Sequence, residues 1–173
     1  GAGERGLMSR PAAFARRAGA YLIDYVVIAL YALALAGATL ATAPDLELSR
    51  AAGYLLALGT LTLPMVIVVS LLESWAGASP GKAVLGLRVR RGSQRPGPVR
   101  ALVRNIIKFL PWEIAHIGIW LTPGQPFVDP PGALSLALMN AGMALVLVQA
   151  VFIGVFRAGL HDWIAGLRVS VKT

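Results

Sequence analysis

Three stretches of this chain are free of charged residues for long enough to cross a lipid bilayer: Tyr25–Ala43, Ala51–Leu72 and Ala133–Phe156. A helix rises about 1.5 Å per residue and the hydrocarbon layer is about 30 Å thick, so roughly 20 apolar residues make one crossing. Nothing constrains the fold more, because in lipid each segment has to satisfy its own backbone N–H and C=O groups. The first run reaches back to about Gly19 and then takes in Asp24. It is too long for the apolar core of a secretory signal, and a second apolar run follows closely. Composition agrees, with 57% hydrophobic and 14% charged residues. That balance excludes a disordered chain. A pI near 10.9 would otherwise suggest nucleic acid as a partner, but a soluble basic domain does not carry this much apolar sequence. With no cysteine there is no disulfide, thiolate metal site or Cys nucleophile.

A fourth segment, 104–121, is apolar in pattern but contains Lys108, Glu113 and His116 and is interrupted by Pro111. The bias of Lys and Arg toward the cytoplasm decides how to count it. Four crossings put Arg5, Arg10, Arg16, Arg17, the eight cations from Lys82 to Lys108, and Arg157, Arg168 and Lys172 on one side. Only Arg50 is left on the other, beside Asp45, Glu47 and Asp129. The expectation is an all-α four-transmembrane-helix bundle, with spans at about 19–43, 51–72, 104–121 and 133–156 and both termini cytoplasmic. Residues 1–10 read as a tail, trimmed or extraneous, with Met8 a natural start, and 11–173 as one membrane domain. The cations serve as topology determinants and as contacts for anionic lipid at the cytoplasmic face, not for nucleic acid.

Gly86-Leu87-Arg88-Val89 returns as Gly166-Leu167-Arg168-Val169, each copy following a span and a polar dipeptide, Gly81-Lys82 or His161-Asp162. The chain therefore reads as two hairpins, each followed by a short cytoplasmic GLRV-containing segment. Two spans per unit make this a parallel repeat about an axis along the membrane normal. Lys82 and Asp162 are equivalent positions of opposite charge. Leu87–Arg90 and Leu167–Lys172 alternate apolar and polar residues, so they read as short strands that pair and hide each other's edges.

A charge at membrane depth is costly unless paired, so each one is a candidate functional residue. Asp24 lies two helical turns after Arg17, on the same face, and is expected to pair across helices with Arg104 or Lys108. Arg100, Arg104 and Lys108 form a basic stripe at i, i+4, i+8. Glu113 and His116 share a face deeper in the same segment and have the parts of a proton relay; the alternative is that Pro111 ends an interfacial helix and the pair sits near the outer surface. Glu73 closes the second span and reads as a boundary residue. Asn140 and Gln149 are expected to make interhelical hydrogen bonds. Trp75 and Trp163 fit a cytoplasmic aromatic belt and Trp120 an outer one.

Three motifs are rejected. Gly77–Ala83 resembles a phosphate loop but has three residues between its glycines and no Ser or Thr after Lys82. His161-Asp162 cannot form a metal-dependent phosphohydrolase site, because the only other histidine is His116 in another span. No serine sits in a nucleophile elbow. No enzyme, cofactor or metal site is expected.

Arg17-Ala18-Gly19-Ala20-Tyr21-Leu22-Ile23-Asp24, Ser79-Pro80-Gly81-Lys82-Ala83-Val84-Leu85-Gly86-Leu87-Arg88-Val89 and His161-Asp162-Trp163-Ile164-Ala165-Gly166-Leu167-Arg168-Val169 together resemble the RDD family of small prokaryotic membrane proteins. That family is named for one Arg and two Asp, here Arg17, Asp24 and Asp162. Trp112–Gly132 departs from its pattern. Some members are regarded as candidate transporters, including for sodium/proton antiport, and others carry the domain as a membrane module. Family membership alone does not deliver a function; charge at membrane depth together with the duplicated hairpin points to an inner-membrane secondary transporter of a small ion or solute. Its coupling residues would come from Arg17, Asp24, Asp162, Lys82, His161, Arg104, Lys108, Glu113 and His116. The alternative is a non-transporting scaffold or accessory subunit. Either reading makes the protein a homo-oligomer or part of a membrane complex.

Overall fold

The computed structural model describes residues 10–43 and 46–171. Arg5, Met8, Asp45 and Lys172, which entered the topology argument, lie outside the described residues. The chain is mainly helical: α1 (Arg10–Thr42), α2 (Arg50–Ala57), α3 (Leu63–Ala76), α4 (Pro80–Val84), α5 (Pro98–Trp120), α6 (Ala133–Phe156) and α7 (Leu160–Ile164), with strands β1 (Leu87–Arg90) and β2 (Arg168–Val171). Three helical stretches are long and apolar enough to cross a membrane: Phe14–Thr42, Arg50–Val84 and Ala133–Phe156.

The expected helices are met with different accuracy, and the segment at 104–121 is helical but is not one of the three stretches long and apolar enough to cross. Residues 133–156 are helical over their whole expected length. The first helix starts well before Gly19, because nothing in residues 10–18 breaks it. The fourth segment starts at Pro98 rather than 104 and is 23 residues long. Pro98 suits a first helical turn, whose N–H groups have no intrahelical partner. Pro111, expected to interrupt this segment, stays inside the continuous helix.

A π-helical turn at Leu58–Thr62 joins α2 to α3. Its cause is Pro64, which has no N–H to donate to the Thr60 carbonyl four residues back. The Tyr31 hydroxyl of α1 donates to that carbonyl instead, at 2.7 Å.

Helices α5 and α6 run antiparallel in close contact. A Cβ on Gly118 would lie 2.8 Å from the Ser135 carbonyl oxygen, and one on Gly142 would lie 2.6 Å from that of Pro111. This contact sets the level of Pro111–Ala115 near the middle of α6.

The duplicated sequence is a duplicated local structure. Gly77 (φ 71°) and Arg157 (φ 55°) both end a long helix in the left-handed region. Each is followed by a five-residue helix, α4 or α7, and then by a left-handed glycine, Gly86 (φ 65°) or Gly166 (φ 64°). Hydrogen bonds repeat at the same offset: Gly86 N donates to Ala83 O at 3.2 Å and Gly166 N to Trp163 O at 3.1 Å. The two GLRV copies then pair as an antiparallel ribbon, in the register Leu87 with Val171 and Val89 with Val169. Val89, Ala165 and Leu167 form a small buried cluster beneath it, with Val169 packed against them.

Candidate functional site

Helices α1, α3, α4, α5 and α7 converge beneath the ribbon on a buried cluster of ions. Glu73, Arg104 and Asp162 are at most 1% exposed, Lys82 3% and Asp24 5%. Position follows from local structure. The left-handed turn after α3 folds α4 back toward the bundle, and a Cβ on Gly81 would lie 2.0 Å from the Ala20 carbonyl oxygen. Only glycine lets α4 approach α1 this closely.

Asp24 is held from α4: Ser79 Oγ donates to its Oδ2 at 2.7 Å and Gly81 N to its Oδ1 at 2.8 Å. Lys108 Nζ stands 3.7 Å from Asp24 Oδ2, one of the two pairings expected from sequence. The other expected partner, Arg104, goes elsewhere. Its Nε donates to Asp162 Oδ1 at 2.7 Å, and its Nη1 donates to both oxygens of Glu73 at 2.8 Å.

Glu73 is thus the hub rather than a boundary residue. It also accepts from Lys82 Nζ at 3.0 Å and Asn105 Nδ2 at 3.0 Å. Its position at the end of an apolar run hid this role, because the short distance to solvent in sequence is closed over by α4 in space. Ser79 and Asn105, both fully buried, were missed as well. Three carboxylates (Asp24, Glu73, Asp162) therefore face three cations (Lys82, Arg104, Lys108).

Arg17 touches neither Asp24 nor Asp162 within hydrogen-bond reach. Its Nη2 donates to the Val169 carbonyl at 2.7 Å, which ties α1 to β2. Arg100 does the same for the loop after α7, donating to the Ala165 carbonyl at 3.0 Å.

Two groups of the cluster lie on α7, beyond the end of α6. Burial opposes ionisation of Asp162, but Arg104 beside it outweighs burial, and the Gly159 N–H adds to this. Its pKa falls to about 2. For His161, burial and the neighbouring Arg104 both disfavour the cation, and its pKa falls to about 3. The ring is neutral: Nδ1 faces Gln149 Oε1 at 2.8 Å, so it carries the hydrogen, and Nε2 accepts from the Tyr21 hydroxyl at 3.0 Å. Gln149 thereby makes the cross-element bond expected of it. Asn140 does not: its side chain lies on an exposed face of α6.

The cavity beside the cluster, lined by Arg17, Tyr21, Lys82 and Asp162 among others, has a volume of about 10 Å³. That is room on the order of a single water molecule.

Glu113 and His116 form a second polar group, away from this cluster, in the last third of α5 and level with the middle of α6. His116 Nδ1 is 3.9 Å from Glu113 Oε1, too far for a hydrogen bond. Trp120 Nε1 donates to His116 Nε2 at 3.2 Å, and the rings of Tyr54 and Trp112 also flank the imidazole. Both carboxylate oxygens of Glu113 and His116 Nδ1 are buried without a hydrogen-bond partner. Among the described residues no group of three or more His, Asp and Glu side chains could hold a metal ion.

Long apolar helices, a paired ribbon and a buried network of ion pairs define a helical membrane protein with an internal ion network. The model of the RDD family matches residues 11–166, most of the chain, and the protein belongs to that family. No curated protein and no solved structure matches the chain. Arg17, Asp24 and Asp162, the residues carried over from the family's motifs, all line or border the cluster.

Proposed function

We propose that this chain is a multi-pass protein of a prokaryotic inner membrane that acts as a non-enzymatic scaffold or accessory subunit of a larger assembly. The observation that carries this reading is the dense pairing of the buried ions in the cluster, in which every carboxylate has a cation or N–H partner and only Arg104 Nη2, Asn105 Oδ1 and the neighbouring Arg17 Nη1 are left without one. Lys82, Glu73, Arg104 and Asp162 form one chain of ion pairs and Lys108 stands 3.7 Å from Asp24, with Ser79 bonded to both Lys82 and Asp24, beside a cavity of only about 10 Å³. A transport path needs carboxylates that exchange partners with a passing ion in a hydrated space. This network instead fastens α1, α3, α4, α5 and α7 together at one level. Four crossings with both termini cytoplasmic complete the proposal. The antiparallel packing of α5 on α6 supports them, as does the gathering of Arg88, Arg100, Arg104 and Arg168 at the ribbon end.

Purified protein in liposomes tests this reading. Asp24→Asn is expected to lower folded yield and assembly, and a native pull-down to return partners in fixed stoichiometry. Cation or proton flux by the wild type that a folded Asp24→Asn variant loses selectively would overturn it.

A secondary transporter of a small ion or solute is the second reading, favoured by one observation: the unpartnered carboxylate of Glu113 beside His116 in the last third of α5, level with the middle of α6. Under this reading Glu113→Gln abolishes flux while leaving the fold intact, and Asp24→Asn acts only through stability.

A further inference from the structure

Five arginines surround the loop between β1 and α5 and are not used by the ion network. Arg88, Arg90 and Arg95 line a cleft of about 380 Å³, and Arg91, Arg95 and Arg100 line a second of about 340 Å³. Arg95 belongs to both, so the two clefts adjoin. No carboxylate lines either one, and among the described residues none of the five arginines is in an ion pair.

Four of the five guanidinium groups are nevertheless positioned. Nη1 of Arg88 donates to Leu87 O at 3.2 Å, that of Arg90 to Ser93 O at 3.4 Å, and that of Arg100 to Ala165 O at 3.0 Å; Arg95 donates to the Trp75 carbonyl. Anchoring to a neutral carbonyl fixes a guanidinium without cancelling its charge. The remaining N–H donors stay available in the planar fork that matches a phosphate. The surroundings are interfacial. Trp75, Val84, Val99 and Trp163 are 66%, 71%, 72% and 74% exposed at this end, apolar surface suited to acyl chains and glycerol rather than to water.

We propose that the two clefts together bind the headgroup of a phospholipid that carries two phosphodiester anions. One phosphate lies on Arg88 and Arg90, the other on Arg91 and Arg100, with Arg95 between them. A pair of adjoining clefts with a shared central arginine fits two linked phosphates better than one, and the exposed tryptophans and valines receive the acyl chains. The proposal rests on membrane residence alone and is independent of whether the protein is a scaffold or a transporter.

The test is thermal unfolding of the full-length protein in detergent, titrated with diphosphatidylglycerol, phosphatidylglycerol, phosphatidylcholine and inorganic pyrophosphate. At equal total phosphate, diphosphatidylglycerol is expected to reach half-maximal stabilisation at a concentration about tenfold lower than phosphatidylglycerol, with phosphatidylcholine inert. Arg95→Gln removes that advantage. Arg157→Gln removes one exposed charge outside the clefts and leaves the advantage in place. Arg91→Gln serves as a second cleft variant should Arg95→Gln fold poorly. Equal potency of the two anionic lipids, or equal losses in Arg95→Gln and Arg157→Gln, would reduce the site to general electrostatics and overturn the proposal. Equal potency of pyrophosphate would assign the clefts to a soluble phosphate and overturn it too.

Discussion

Replacing Glu73 by Gln is the sharpest probe of the ion network, because it keeps the shape of the side chain and removes only charge. Glu73 accepts two hydrogen bonds from Arg104 Nη1 at 2.8 Å and one each from Lys82 and Asn105 at 3.0 Å. All are donors, so a Gln side chain keeps one acceptor and turns its NH₂ against them. Two carboxylates, Asp24 and Asp162, would then face three cations. Removing one member of a buried ion pair costs about 3–5 kcal/mol, since the partner charge stays desolvated. At about 1.4 kcal/mol per factor of ten, the folded-to-unfolded ratio falls by roughly 10²–10⁴. Lys82→Met alone should cost a similar amount. In the double variant the count returns to two against two, so the combined cost should fall short of the sum by about 1–3 kcal/mol. Equilibrium unfolding in mixed micelles measures all four proteins. Stability of Glu73→Gln within about 1 kcal/mol of wild type would refute the reasoning, and so would simple additivity in the double variant.

Two further perturbations bear on the same region. Gly81→Ala puts a methyl group 2.0 Å from the Ala20 carbonyl oxygen, so α4 must move off α1 and lengthen the Gly81–Asp24 bond. A loss of at least about 2 kcal/mol is expected in the same unfolding assay, and tolerance without loss would show that this close approach is not required. Acid should weaken the fold through α7. His161 has a folded pKa of about 3 against an ordinary 6.5, so the unfolded chain binds the extra proton. Its contribution is complete above pH 6.5 and declines by at most about 1.4 kcal/mol per unit as pH falls toward 3. Asp162 adds a second loss between its ordinary value of 3.8 and about 2. Unfolding of wild type and His161→Gln at pH 7.5, 6 and 5 isolates the first part, and identical slopes would contradict it.

What could be read from the residues was whatever is local or periodic. The run Ala133–Phe156 announces its helix because one chemical property persists for its whole length. The GLRV pair was legible as a ribbon because both copies alternate and both follow the same polar turn. Pro111 and Pro64 show how little of a proline's effect is local. Pro111 predicts an interruption, yet the close contact with α6 at Gly142 holds the helix through it. Pro64 frees the Thr60 carbonyl, which the Tyr31 hydroxyl of α1 occupies. In both cases a neighbouring helix, not the proline alone, decides the outcome.

The sequence by itself determined the solvent of this protein, its apolar crossings and its internal duplication, because hydrophobicity, charge exclusion and repetition are properties of consecutive residues. It also named most of the expensive charges: Asp24, Arg104, Lys108 and Asp162 stand out against an apolar background. Only the tertiary structure decided who pairs with whom. Arg104 takes Glu73 and Asp162 in place of Asp24, Ser79 and the Gly81 N–H secure Asp24, and Arg17 caps the β2 backbone instead of a carboxylate. In a low-dielectric interior an ion's choice of partner turns on ångström differences in where helices sit. Those differences arise here from the left-handed turn at Gly77 and the missing side chain of Gly81, whose consequences appear only once the chain has folded back on itself.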